Sequence, residues 1–207
     1  MTDNNSIQAV PQPGPFAKAI VVPSLITQDE RTLIRSRLSE ELINTFEGVA
    51  AWSKQNFGDQ KGINHIAPML GIGEEFGELM EAVLVSEDVS EINDAVGDIG
   101  IYTIDMLSRA GIPPEMVWPF EGIKHTPIKI PPAVSLGRMF HCVLKSDQGI
   151  RGYENVDFFH RNLMLATVPF LEVLEATYGL STHTVGTWNR VVSKRNWVAN
   201  PGGQSAS

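Results

Sequence analysis

The sequence predicts an all-α protein, a helical bundle, on three observations. Apolar residues recur at three- and four-residue steps through most of the chain. N-cap residues and glycine or proline stops punctuate those stretches. Strand-like alternation is short and scarce. The 207 residues suit one domain with tails, and 43% apolar content is too high for a mostly disordered chain. No apolar run is long enough for a membrane-spanning helix. The polar start, Met1 to Gln8, lacks the basic and apolar regions of a signal peptide. The single cysteine, Cys142, rules out an internal disulfide framework and a multi-cysteine zinc site, and a cytoplasmic location is the default. Sixteen basic against twenty-four acidic residues argue against a nucleic-acid polymer as partner.

Taken in order, residues 1–25 read as a tail, with Pro11, Pro13 and Pro15 among small residues. A single domain is expected over 26–199, followed by a tail at 200–207. Within it, 39–111 form the acidic core, 112–132 a crossover with six prolines, and 133–199 a basic helical part. Thr27 can cap a short helix and Ser39 the next, in which Leu42, Phe46, Val49 and Trp52 recur at helical spacing. Gly58 and Gly62 break the chain, and a helix from about Met69 to Val85 follows. The next helix is expected to start with Ser90 as N-cap and to end near Gly111, with Pro113 and Pro114 beyond. Later helices are expected near 134–145, 155–178 (with Pro169 as a kink) and 182–198.

The charge is unevenly placed. Residues 62–108 hold ten acids and no lysine or arginine, whereas the rest of the chain holds sixteen basic and fourteen acidic residues. Solvated helices ordinarily mix charge signs to gain i,i+4 pairs, so an unrelieved acidic run asks for a bound cation or a basic partner. On the helix 69–85, Ile72, Phe76, Leu79 and Val83 form the core stripe; Glu75 and Glu78 lie at its margin, while Glu74 and Glu81 point more nearly away. On the following helix Glu91, Asp94, Asp98 and Asp105 share a sector of roughly 60°. The rest of that helix is apolar nearly all round, which turns Asp98 and Asp105 towards a core or an interface. Carboxylates a turn apart on two antiparallel helices make an all-oxygen cage suited to Mg²⁺ or Mn²⁺, ions that share their shells with phosphates. The plainer alternative is that each Glu-x-x-Glu is a solvated helix face.

The segment Gly73-Glu74-Glu75-Phe76-Gly77-Glu78-Leu79, followed by a second acidic helix with Gly97-Asp98-Ile99-Gly100, resembles the MazG-like all-α nucleoside triphosphate pyrophosphohydrolases. These are relatives of dimeric dUTPases and phosphoribosyl-ATP pyrophosphohydrolases, and the match runs from about Trp52 to Gly111. The family's second motif, Glu-x-x-Asp, fits Glu91-x-x-Asp94 literally, but the downstream glycines align Asp98 with the family's aspartate and leave Ala95 where it has glutamate. Asp94, on nearly the same face, can substitute. The resemblance therefore implies Glu75, Glu78, Asp94 and Asp98 as metal ligands, with Glu91 the contested fifth. It further implies a MazG-like bundle completed as a homodimer or homotetramer, and Mg²⁺-dependent cleavage between the α- and β-phosphates of a nucleoside triphosphate. Glu74 is the candidate base. Two alternatives stay open: a related enzyme acting on phosphoribosyl-ATP or an alarmone, and a non-catalytic helical interaction protein.

Residues 124–207 show the opposite bias, nine basic and five acidic residues. Lys145, Arg151, Lys194 and Arg195 are the candidates for triphosphate oxygens, since arginine offers forked donors and lysine a point charge. The five histidines form no metal-ligand spacing, although His65 precedes the acidic helix and could touch phosphate. Trp52, Trp188 and Trp197 are expected to pack, and Cys142 to fill core. No phosphate-binding loop of Walker type and no nucleophile elbow is present.

Overall fold

The computed structural model describes residues 27–58, 65–119, 130–149, 155–190 and 192–195. All regular structure among them is helical. Seven α-helices appear in this described part: α1 (Gln28–Arg35), α2 (Glu40–Phe57), α3 (Ile66–Glu81), α4 (Val89–Ala110), α5 (Pro132–Asp147), α6 (Val156–Tyr178) and α7 (Leu180–Arg190). A π-helical turn (Ala82–Ser86) prolongs α3, and short 3₁₀ turns occupy Pro114–Met116 and Val192–Lys194. The expected tails, Gly62, residues 120–129 of the crossover, Arg151 and Trp197 lie outside the described residues.

Local chemistry sets most boundaries. Thr27 caps α1 in a reciprocal box, its hydroxyl accepting from the Glu30 amide at 3.2 Å while Glu30 Oε2 accepts from the Thr27 amide at 2.8 Å. Ser39 caps α2, and Gly58 ends it at φ +83°. The expected cap of α4 needs correcting. Asp88, not Ser90, is the N-cap: its Oδ1 accepts from the amides of Ser90 (2.7 Å) and Glu91 (3.4 Å). A carboxylate there also complements the positive end of the helix. α4 ends as expected at Gly111, at φ +78°. α3 begins three residues before the expected Met69, with His65 at its N-cap position.

α4 is the axis of the bundle. Its most extensive packing is against α3 on one side and α7 on the other, with α2 and α6 covering the rest. Val96, Ile99, Ile104, Met106 and Leu107 are wholly buried in a core shared with Val49 of α2, Ile72 and Leu79 of α3, and Leu163 and Phe170 of α6. Each such side chain contributes about 1.5–3 kcal/mol of burial. The all-round apolar character of α4 is therefore satisfied within one chain and needs no neighbouring subunit. Pro169 sits buried inside α6, and Cys142 is a buried core residue of α5, its thiol pushed up to about 11 by burial. Trp188 lies against Gly48, where any Cβ would meet its ring at 2.5 Å. Trp52 is half-buried and donates its indole N–H to the Arg195 carbonyl at 2.8 Å. No single described helix is long and apolar enough to cross a membrane.

Candidate metal and substrate site

The antiparallel α3–α4 hairpin fixes which residues meet. A Cβ on Gly71 would strike the Tyr102 ring at 2.7 Å, and beyond the turn Ser86 donates to Glu91 at 2.8 Å. From the Gly71–Tyr102 level the two helices run in opposite directions at about 1.5 Å per residue. Glu75 then stands level with Asp98, and Glu78 and Asp94 each follow about one turn nearer the hairpin tip.

The electrostatics agree with that register. Burial pushes the Glu75 carboxyl up to about 8, and the charges of Asp98, Glu78, Glu74 and Asp94 push the same way. Burial likewise raises Asp98 to about 6, with Asp94 and Glu78 adding to it and Arg195 opposing. Burial also raises the Tyr102 hydroxyl, helped by Glu75 and Asp98. Glu75 and Asp98 thus both sit within reach of the charges of Glu78 and Asp94 at one seam. Glu75 and Asp98 are half-buried there, and Glu78 and Asp94 lie on its exposed side. Among the described residues, no three carboxylate, imidazole or thiolate groups stand ready-made around a single ion position. The donor set itself, oxygen-only, of one charge sign and half-buried at Glu75 and Asp98, fits a hard divalent cation.

The remaining expectations divide. Glu74 is exposed on the outer face of α3, close enough to influence Glu75 and Tyr102. Glu91 is taken up by Ser86 in the turn, one helical turn nearer the hairpin tip than Asp94. Asp105 is buried, as its face implied, but its partner is Arg109 (2.7 Å), one residue beyond the acidic run, which also reaches Ser53 at 3.0 Å. The run is therefore less unrelieved than its composition suggested. Arg195 is brought to the acidic seam and opposes the rise of Asp98, while Lys194 is exposed beside it. Lys145 is not brought there. Gly73 faces Phe140, and His65 feels Asp147, so Lys145 lies level with the start of α3, roughly 11–16 Å along the bundle from Glu75 and Glu78. Arg151 lies outside the described residues. His65 is 5% exposed, its ring 5.2 Å from that of Phe159, and burial lowers its pKa; it is an interior residue rather than a phosphate contact.

Sequence reasoning passed over the far side of Asp94. A cleft of about 350 Å³ opens there between α4 and α7, lined among others by Asn93, Asp94, His183 and Arg190. Its signal, polar residues at helical spacing on α7, becomes meaningful only once the α4–α7 register is known.

Fold and site together define an all-helical bundle carrying a two-helix carboxylate seam, with a polar cleft beside it. No family model, curated protein or solved structure matches the chain.

Proposed function

We propose that the protein is a divalent-metal-dependent nucleotide pyrophosphohydrolase of the MazG-like type, cleaving a nucleoside triphosphate into monophosphate and pyrophosphate. The observation carrying this reading is the one acidic seam where Asp98, Glu78 and Asp94 all act on Glu75, with the Glu75 carboxyl held near 8 by burial and like charge. Glu75, Glu78, Asp94 and Asp98 would hold Mg²⁺ or Mn²⁺; Glu91, occupied by Ser86, is the weaker candidate beside Asp94. The bound cation supplies charge against phosphate oxygens and a lowered pKa for water.

In this reading, the oxygen of water bonds to the α-phosphorus as that phosphorus loses its bridging oxygen. The bonding pair leaves with pyrophosphate, and the proton from water passes to Glu74, exposed beside the seam. Arg195, fastened through its carbonyl to Trp52, brings a positive charge to the same end. A nucleotide substrate places this activity in the cytoplasm. Leu70, Leu84, Val85 and Val89, 60–75% exposed, give the hairpin an apolar surface that a second copy would cover in a homodimer or homotetramer.

The test is to incubate the protein with each of the eight common nucleoside triphosphates and Mg²⁺ and resolve the products by chromatography. Monophosphate and pyrophosphate in equal amounts from at least one nucleotide, lost in Glu75→Gln and Asp98→Asn, is the expected result. Absence of turnover with Mg²⁺ or Mn²⁺, together with no thermal stabilisation by either ion, overturns the reading.

A further inference from the structure

The cleft between α4 and α7 adjoins the carboxylate seam through one shared residue, Asp94. Two glycines of α4 create this arrangement. Any Cβ on Gly97 or Gly100 would collide with Thr187 or Thr184, so α7 rests directly on the α4 backbone. Because the two helices run in opposite directions, this contact sets Arg190 level with Asp94. Both line the cleft, yet no ion pair joins them. Among the described residues Arg190 donates only to the Gly186 carbonyl on its own helix, through Nε at 3.2 Å. The side chain is exposed and lies along α7.

The rest of the lining narrows the ligand. Asn93 offers an amide, Thr182 a hydroxyl and His183 an imidazole, and no large apolar side chain contributes. A nucleobase is bound between apolar or aromatic faces, of which this cleft offers only the His183 ring among polar groups. Phosphate oxygens, by contrast, are recognised by forked guanidinium donors and neutral N–H and O–H groups. A bare phosphate would be repelled by Asp94, so the arrangement suits a phosphate whose other oxygens meet cations on the seam.

We infer that this cleft takes the terminal two phosphates of the nucleotide, the part that departs as pyrophosphate, and that Arg190 positions them, with Asn93 and His183 as further donors. The inference rests on the pyrophosphohydrolase reading and names where its leaving group is held. Arg190 is a positioning residue for that group, distinct from the carboxylates of the seam.

The experiment titrates inorganic pyrophosphate, with Mg²⁺ in constant excess, into the full chain and into its Arg190→Ala and Arg190→Lys variants by calorimetry. Nucleotide turnover is measured on the same samples. The expected result is pyrophosphate binding weakened at least tenfold in Arg190→Ala and partly restored in Arg190→Lys, with an equal rise in the constant for product inhibition by pyrophosphate. Because Arg190 is exposed, both variants should keep the wild-type far-ultraviolet dichroism. Equal affinity in wild type and Arg190→Ala, or no binding by wild type, overturns the inference. Turnover without any Arg190 dependence removes the cleft and leaves the pyrophosphohydrolase reading intact. Arg190-dependent binding in a chain that hydrolyses no nucleotide removes that reading and upholds the cleft as a pyrophosphate site.

Discussion

Glu75 illustrates how much one side chain's surroundings decide. Its carboxyl is raised to about 8, first by burial and then by Asp98, Glu78, Glu74 and Asp94. An acid whose folded-state pKa exceeds its unfolded value favours the fold most below the unfolded pKa, and that contribution is lost as pH rises through the folded one. In a chelator, the melting temperature of wild type should therefore fall, relative to Glu75→Gln, between about pH 5 and about pH 8.5, and the two curves should meet at the acid end. Melting curves that stay parallel across that range would show that Glu75 is not held in this way. Asp105, on α4, is buried against a cation, the Arg109 guanidinium at 2.7 Å. Asp105→Ala takes the carboxylate from Arg109, a side chain 10% exposed that keeps its bond to Ser53, and should cost about 3 kcal/mol in urea unfolding. Stabilisation by Mg²⁺ should be unchanged in that variant, since Asp105 belongs to the core and not to the seam.

At the scale of elements, glycine separates packing from sequence resemblance. Gly97→Ala or Gly100→Ala drives a methyl into Thr187 or Thr184 at the α4–α7 contact and should destabilise by about 1–3 kcal/mol. Gly77 has nothing within 4 Å of where its Cβ would lie, so Gly77→Ala should stabilise α3 by about 0.5–1 kcal/mol. Urea titrations of the variants check both signs. The same contrast explains what could be read without coordinates. The faces of α3 and α4 follow from their own periodicity, so the margin position of Glu75 and Glu78 and the shared sector of Glu91, Asp94, Asp98 and Asp105 were legible, whereas the choice of four among them came from the resemblance. The N-cap of α4 was not legible, because Asp88 and Ser90 are both competent caps. The choice falls to the preceding turn, where Glu87 adopts φ +52° and delivers Asp88 to the helix end. The placing of Arg190 level with Asp94 in one cleft was illegible for a different reason. It depends on a register between helices some ninety residues apart, set by Gly97 and Gly100, which no local pattern encodes.

Across the whole molecule, stability is unevenly spread. α1 buries none of its residues. It is held by Arg31 (2.8 Å) and Arg35 (3.4 Å) converging on Glu115, which is 3% exposed in the 3₁₀ turn after α4, and by the pair from Arg35 to Glu47. Such an element opens at a lower free energy than the core to which it is tied. Glu115→Ala should speed amide exchange across 28–35 by about tenfold or more while leaving the slow amides of α4 unchanged, as read by hydrogen-exchange mass spectrometry. If α1 and α4 accelerate together, α1 is part of the cooperative core.

The π-helical turn after α3 has a consequence for how this chain can change length. Hydrogen bonds spaced i to i+5 enclose one more residue per turn than an α-helix does, so Ala82–Ser86 holds spare chain at the outermost point of the hairpin. Leu84 and Val85 there are each 75% exposed, and only Ala82 is buried. A residue gained or lost in this stretch is absorbed before α4 begins. One gained or lost between Glu75 and Glu78, or between Asp94 and Asp98, swings the following carboxylate by about 100° and breaks the pairing. Among descendants of this sequence, the hairpin tip is where insertions and deletions can accumulate, while the spacing within the two acidic helices stays fixed.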